Sequence, residues 1–295
     1  MRDQLQELLT KRVKQCVSNT GLRNDNFLCE KIEKKKECLT RRKGEIVKAK
    51  ATGQINHKEI DNDNDLEKVF YRTHFQYLIQ HKGKLYIEEE IEERAAEFYK
   101  NILVEDYEIN PYDRLAEESA APVEVENSHE RNLYIYDRLE AVKYAERWWN
   151  DFNPAYEKFD VDCTNYISQC LHAGNSPMRG YPNRSKGWWM KNKNWSYSWS
   201  VANSLRWYLP GSMAGLRGQE VKDPMDLELG DVICYDFQGD GRFDHTTIVT
   251  AKDQDGMPLV NAHTFNCRMR YWAYEDSTAY TPNIKYKFLH IVDDQ

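Results

Sequence analysis

The spacing of apolar positions divides the chain into two parts of different character. Near the start, Leu5, Leu8, Leu9 and Val13 fall near one face of a helix. The mixed-sign run Glu30 to Glu37 reads as the solvated face of another. From Asp65 to Gln80 the apolar positions Leu66, Val69, Phe70, Phe75, Tyr77 and Leu78 predict a helix, with Asp65 as its N-cap. Lys84 to Ile87 predicts a short strand, or the lead into a long acidic helix running from Glu88 to about Leu103. Residues 107–131 hold Pro111, Pro122 and several acids, and read as a linker or wrapping segment. The boundary falls there, between a mainly helical N-terminal region (1–130) of unknown role and a second domain (131–295).

Beyond the boundary the pattern changes. Leu133 to Trp149 predicts a helix with Tyr136, Leu139, Ala141, Val142 and Ala145 as its apolar stripe, ended by Asn153-Pro154. A second helix is predicted to begin at Cys163, with Tyr166, Ile167, Cys170 and Leu171 one turn apart, and to stop at Gly174. Residues 175–225, rich in Gly, Pro, Asn and Trp, read as loop. Strands are predicted from Asp231 to Phe237, His245 to Ala251, Leu259 to Phe265 and Ile284 to Val292. The second and third of these are joined by Asp253-Gln254-Asp255-Gly256, a hairpin turn. Helices first and an antiparallel sheet second make the class α+β.

Charge and cysteine usage narrow the function classes. The net charge is -7, which argues against nucleic acid as the main partner. The first fifty residues nevertheless carry fourteen Lys and Arg against seven Asp and Glu, so a partner for that basic segment stays open. The N-terminus has acids where a signal peptide needs an apolar run, and no stretch approaches the roughly 18 apolar residues of a membrane span. Seven scattered cysteines argue against a disulfide framework. These features imply a reducing cytoplasm by default, with cell-wall or spore association as the alternative. The alternating oxygens of Asp61-Asn62-Asp63-Asn64-Asp65 resemble part of a calcium loop but lack its central glycine and distal glutamate.

The candidate chemistry begins at Cys163. A thiol in the first turn of a helix feels the positive end of the macrodipole and unpaired backbone N–H groups, and both favour the thiolate. His245 opens one predicted strand and can act as general base. His263 ends the neighbouring strand and shares a face with Asn261, so either can accept a hydrogen bond from the far nitrogen of His245; His263 is preferred. Oxyanion donors are the Cys163 backbone N–H and, upstream, Tyr156 or Asn153. Trp188, Trp189 and Trp199 either line a substrate groove or belong to the core. Zinc at Cys163, Cys170, His172, His245 and His263 lacks the paired spacings of such sites, and Asp236, Asp240 and Asp244 surround a tight turn more economically than a metal. No metal and no cofactor is expected.

The ordered pieces Tyr136-Asp137-Arg138, Ala141-Val142, Tyr144-Ala145, Trp149, Asn153-Pro154 and Phe159 are followed by Asp162-Cys163-Thr164-Asn165 and Ser168-Gln169-Cys170-Leu171. Then come Ala173-Gly174, Pro177-Met178, Gly187-Trp188-Trp189, Ser198-Trp199, Gly230-Asp231-Val232-Ile233, Asp244-His245 and Ala262-His263-Thr264. Over roughly residues 134–290 the chain resembles the Putative amidase domain family of spore-forming Gram-positive bacteria, which looks like a distant branch of the NlpC/P60 and CHAP cysteine peptidases. Tyr166 and Asn175 depart from the family pattern, away from the chemistry. The resemblance implies a papain-like fold with Cys163 as nucleophile, His245 as base and His263 as a third, orienting histidine. It also implies a peptide or peptidoglycan-like amide substrate. Two rivals remain: a non-catalytic binding or coat protein on the same scaffold, and an acyl transferase using the same thioester chemistry.

Overall fold

The computed structural model describes residues 1–18, 29–61, 65–111 and 133–294. It divides into two compact units, Met1–Asn110 with Tyr274–Thr278, and Pro111–Ala273 with Ala279–Gln295.

The first unit corrects the sequence reading. It holds two helices, α1 (Arg2–Val17) and α2 (Glu30–Arg41), and four long strands, β1 (Gly44–Asp61), β2 (Leu66–His81), β3 (Lys84–Tyr99) and β4 (Ile102–Glu108). The strands form an antiparallel meander in which each pairs with the next, so the region is not mainly helical. In β2 the buried positions are Val69, Tyr71, Thr73, Phe75, Tyr77, Ile79 and His81, a strict alternation. A helical reading of Leu66, Val69 and Phe70 misses that period. Asp65 is no helix cap: it sits in a turn with φ +53° before β2. The central positions of the calcium-loop-like run, Asn62, Asp63 and Asn64, lie outside the described residues. Lys82 and Gly83, both at positive φ, make the tight turn between β2 and β3, and Lys100 and Asn101 make the next.

The acidic run in β3 was expected to be helical, and the lysines of α2 to face solvent. Instead Glu88, Glu90, Glu92 and Arg94 are buried. Lys31 reaches Glu92 (2.6 Å), Glu108 (3.1 Å) and Glu90 (3.4 Å), while Lys35 pairs with Glu88 and with Asp276 (2.7 Å). Arg12 and Arg94 both bind Asp106. Burial opposes the charge on Glu92, but Lys31 and Arg94 outweigh it and hold the carboxyl below its usual range. The basic helices and the acidic strand therefore pair with each other. Apolar clusters flank this layer, one around Leu9, Ile32, Leu39, Phe75 and Ile79 and one around Leu5, Val69, Ala96 and Phe98.

The second unit is α+β. Its helices are α3 (Arg138–Trp148), α4 (Cys163–Ala173), α5 (Tyr197–Ser200) and α6 (Ala202–Gly211). A small hairpin pairs β5 (Met190–Lys191) with β6 (Asn194–Trp195). The main strands are β7 (Arg217–Val221), β8 (Val232–Asp236), β9 (His245–Lys252), β10 (Pro258–Ala262), β11 (Cys267–Tyr271) and β12 (Lys285–Val292), ordered β11-β10-β9-β8-β12-β7 and all antiparallel. Helix α3 starts later than expected because Asp137 caps it by accepting the Glu140 N–H at 3.0 Å, and Leu139 faces solvent. Elements α6, β7 and β11 escaped the sequence reading.

One face of the sheet, through Val232, Cys234, Ile248 and Ile291, packs on Tyr166, Ile167 and Cys170 of α4. Gly174 closes α4 where a Cβ would lie 2.4 Å from the Tyr136 ring. Asp231 anchors the strand ends, accepting from Arg138 (2.6 Å), Glu228 N (2.7 Å) and Ile291 N (2.9 Å), with His290 Nδ1 at 2.8 Å. Among the described residues, no helix is long and apolar enough to cross a membrane.

Candidate functional site

The geometry around Cys163 starts from the way α4 begins. Cys163 is its first residue and Asp162 its N-cap position, yet the Asp162 side chain caps no N–H of the helix. Its carboxylate instead accepts from Phe159 N (3.1 Å) and from Asn165 Nδ2 (2.9 Å), and meets His263 Nδ1 at 2.7 Å. The other His263 nitrogen faces the Trp148 carbonyl at 2.7 Å, and the ring stacks on Tyr166 with centroids 4.0 Å apart. Each nitrogen of the His263 ring therefore faces an oxygen acceptor. The hydroxyl of Thr264 accepts the N–H of Asp162 (3.0 Å) and of Cys163 (3.1 Å).

The thiol of Cys163 points toward the entry of β9. Its Sγ lies 3.9 Å from the Asp244 carbonyl and 3.7 Å from Thr164 Oγ1, and Thr164 Oγ1 lies 3.2 Å from Thr246 Oγ1. Thr246 is thus on the face of β9 turned to α4. Alternation puts His245 and Thr247 on the other face, where Thr247 meets the Tyr235 hydroxyl at 3.2 Å. The His245 ring sits there among Tyr235, Phe237 and Phe265, with centroids 5.6, 6.0 and 6.2 Å away.

Burial sets the charge states. Cys163 is 1% exposed, and loss of solvent pushes its thiol up, against the lowering hydrogen bonds of Thr164 and Thr246. The sequence argument from the macrodipole favoured the thiolate; in this closed arrangement burial works against it. His245 is pushed down to about 3 by burial and by the nearby Arg270 charge. Asp244 is raised to about 6, mainly by burial.

Several expected roles fall to other partners. His263 gives its nitrogens to Asp162 and Trp148, and Asn261 bonds Glu146 (2.9 Å), Thr250 (2.9 Å) and Met269 N (2.9 Å). Neither is arranged as the orienting partner of His245, because the helix start and the α3 end claim them first. Asn153 donates to the Tyr144 hydroxyl at 2.8 Å and accepts from Ala155 N. Tyr156 stacks over Trp199. The groove reading of Trp188, Trp189 and Trp199 is corrected: they are 0%, 1% and 0% exposed. Their ring N–H groups donate to Ser168 Oγ (2.9 Å), the Lys186 carbonyl (3.1 Å) and Asn165 Oδ1 (2.7 Å) respectively, which makes them core. Asp236 accepts from Gly239 N (2.7 Å) and Gly241 N (2.8 Å), serving the turn. His172 Nδ1 lies 3.2 Å from the Ser176 carbonyl.

Sequence reasoning missed Asp162 and Thr264 as individual contributors. Asp162 was visible as an acid before the cysteine, and Thr264 as the neighbour of His263, but neither spacing tells which group each hydroxyl or carboxylate meets.

Comparison with known proteins supplies the lineage. The chain is 50% identical over 298 residues to "Uncharacterized protein YhbB" of Bacillus subtilis (strain 168), covering 98% of this chain and 96% of that protein. It is 34% identical over 126 residues to "Uncharacterized protein YjcM" of the same organism, which is 40% of this chain and 28% of that protein. No solved structure matches. Residues 135–289 match the family described as "Putative amidase domain". That match covers the helix bearing Cys163, both histidines and the sheet between them, and the chain belongs to the Putative amidase domain family.

Proposed function

We propose that the protein is a cysteine-nucleophile amide hydrolase acting on a peptide or peptidoglycan-like amide, with the chemistry in residues 131–295 on a papain-like arrangement. The observation that carries the reading is the placing of Cys163 Sγ, at the first position of α4, 3.9 Å from the carbonyl that precedes His245. His245 rests on the face of β9 turned away from α4 and must swing to the Cys163 side to act. There it takes the thiol proton, the sulfur bonds the amide carbonyl carbon, the C–N bond breaks, and the amine leaves with that proton. Water activated by the same imidazole then hydrolyses the thioester. The Cys163 N–H supports the oxyanion in both steps. The Asp162–His263 pair acts on neither substrate nor water; it positions the start of α4. Residues 1–130 supply no catalytic group. The unit works in the cytoplasm or, after release, at the wall.

The test is Cys163→Ala and His245→Ala against purified peptidoglycan, following new amine ends by mass spectrometry. Both variants are expected to lose turnover by at least about a hundredfold. Cys163→Ala should keep a melting temperature near that of the parent. Undiminished turnover in Cys163→Ala removes the nucleophile assignment.

A second reading is favoured by the burial of Cys163 and the neutral state imposed on His245. In it the unit is a non-catalytic binding or coat module. Saturable peptidoglycan binding with no bond cleaved by the parent protein would select that reading. New amide bonds on adding a soluble amine acceptor would select acyl transfer instead.

A further inference from the structure

We propose that Thr264 is a plug: its hydroxyl occupies the place that the substrate carbonyl oxygen takes at the start of α4. The inference rests on the reading of Cys163 as nucleophile and adds to it a closed resting state, opened by movement of the segment between β10 and β11.

Three observations converge on this residue. First, one oxygen, Thr264 Oγ1, accepts from two successive backbone donors, Asp162 N at 3.0 Å and Cys163 N at 3.1 Å. Two N–H groups aimed at one oxygen are the arrangement an oxyanion requires. While the hydroxyl holds the Cys163 N–H, a carbonyl cannot. Second, the plug is held under strain. Thr264 has φ +77°, and among the non-glycine residues at positive φ in the described chain it alone is β-branched. A branched side chain meets its own backbone there, so the conformation persists only while surrounding contacts enforce it. Third, the residue whose N–H the hydroxyl holds is itself shut off from solvent, with Cys163 1% exposed.

The neighbouring contacts explain how the plug is set and how it moves. The Asp162 carboxylate is spent on Phe159, Asn165 and His263, leaving the acceptor role at the helix start to Thr264. His263, immediately before it, is fixed at both nitrogens, and β11 begins three residues after it, at Cys267. Motion is therefore confined to a few residues. Leaving the plugged state loses two hydrogen bonds and releases the backbone strain, two contributions of opposite sign. An incoming carbonyl restores the lost bonds and selects the open state.

The test uses the full chain and iodoacetamide near neutral pH, with the labelling rate of each cysteine read by peptide mass spectrometry. Cys170, fully buried on the same helix, is the internal control for general loosening. Thr264→Val keeps the shape but cannot accept a hydrogen bond. It is expected to speed Cys163 labelling by on the order of tenfold, from two hydrogen bonds lost to the closed state, with Cys170 unchanged. Thr264→Ser should label as the parent does. If Thr264→Val does not fold, Thr264→Gly removes the hydroxyl and tolerates the positive φ. Unchanged Cys163 labelling in the folded variant overturns the plug, and so does a joint rise of Cys163 and Cys170, which marks a structural cap only. Loss of peptidoglycan turnover in Thr264→Val despite faster labelling also overturns it, since the hydroxyl is then a required donor. Faster labelling of Cys163 with no turnover in any form leaves the plug standing and refutes the hydrolase reading instead.

Discussion

Replacing His263 by phenylalanine isolates what the Asp162–His263 pair contributes to the start of α4. Phenylalanine keeps a planar ring, so the stack on Tyr166 at 4.0 Å and the edge contact with Phe152 at 5.1 Å are retained. What goes is the bond to Asp162 Oδ2 and the bond to the Trp148 carbonyl, both 2.7 Å and both in a region where His263 and Asp162 side chains are 3% exposed. A hydrogen bond to a charged group contributes about 1.5–3 kcal/mol and a neutral one about 0.5–1.5 kcal/mol. The Asp162 carboxylate keeps its Phe159 and Asn165 donors on Oδ1 while Oδ2 loses its bond to His263, and the expected loss is about 2–4 kcal/mol. Urea unfolding read by tryptophan fluorescence is the assay. All eight tryptophans lie between Trp148 and Trp272, so the signal reports the second unit alone. In a double-mutant cycle with Asp162→Asn the two changes should couple by about 1–3 kcal/mol. A loss below about 1 kcal/mol with no coupling would refute the reasoning, because pairing would then be no better than solvation at that position.

Two further outcomes follow from the buried charges. Lys35→Ala removes a buried cation paired with Glu88 and Asp276 in the first unit and should cost about 3–5 kcal/mol. Near-UV circular dichroism of the tyrosines there tracks the loss, and a change under about 1 kcal/mol would mean that the pair is solvated. His245 has its folded value pushed down to about 3, below its ordinary 6.5. The unfolded chain therefore takes up a proton that the folded one refuses, so this contribution to stability is present above pH 6.5 and is lost as pH falls toward 3. Tryptophan-detected urea unfolding from pH 7 to pH 4 should show that decline, and His245→Gln should flatten it; identical pH slopes would show that His245 is not held neutral.

The sequence by itself determined most of the second unit. Apolar pairs one turn apart between Tyr166 and Leu171, bounded by Asp162 and Gly174, admit little other than a helix beginning at Cys163. The runs in β8, β9, β10 and β12 are apolar and bounded by turns, and Asp253 to Gly256 forms the expected hairpin, with Asp253 N donating to the Met257 carbonyl at 2.8 Å. Local pattern suffices there because many inward positions, such as Val232, Cys234, Ile248 and Ile291, are apolar by themselves. In the first unit it does not: Glu88, Glu90 and Glu92 face inward, and cations such as Lys31 and Lys35, more than fifty residues away in sequence, help make that tolerable. A strand whose buried face is charged has no hydrophobic period to read. The tryptophans show the same limit, since burial of Trp188, Trp189 and Trp199 depends on Ser168, Asn165 and backbone carbonyls meeting their ring N–H groups. The charge state of Cys163 and the hold of Thr264 on its N–H were likewise decided only in three dimensions, because desolvation and strain depend on what covers a group and not on the residues beside it.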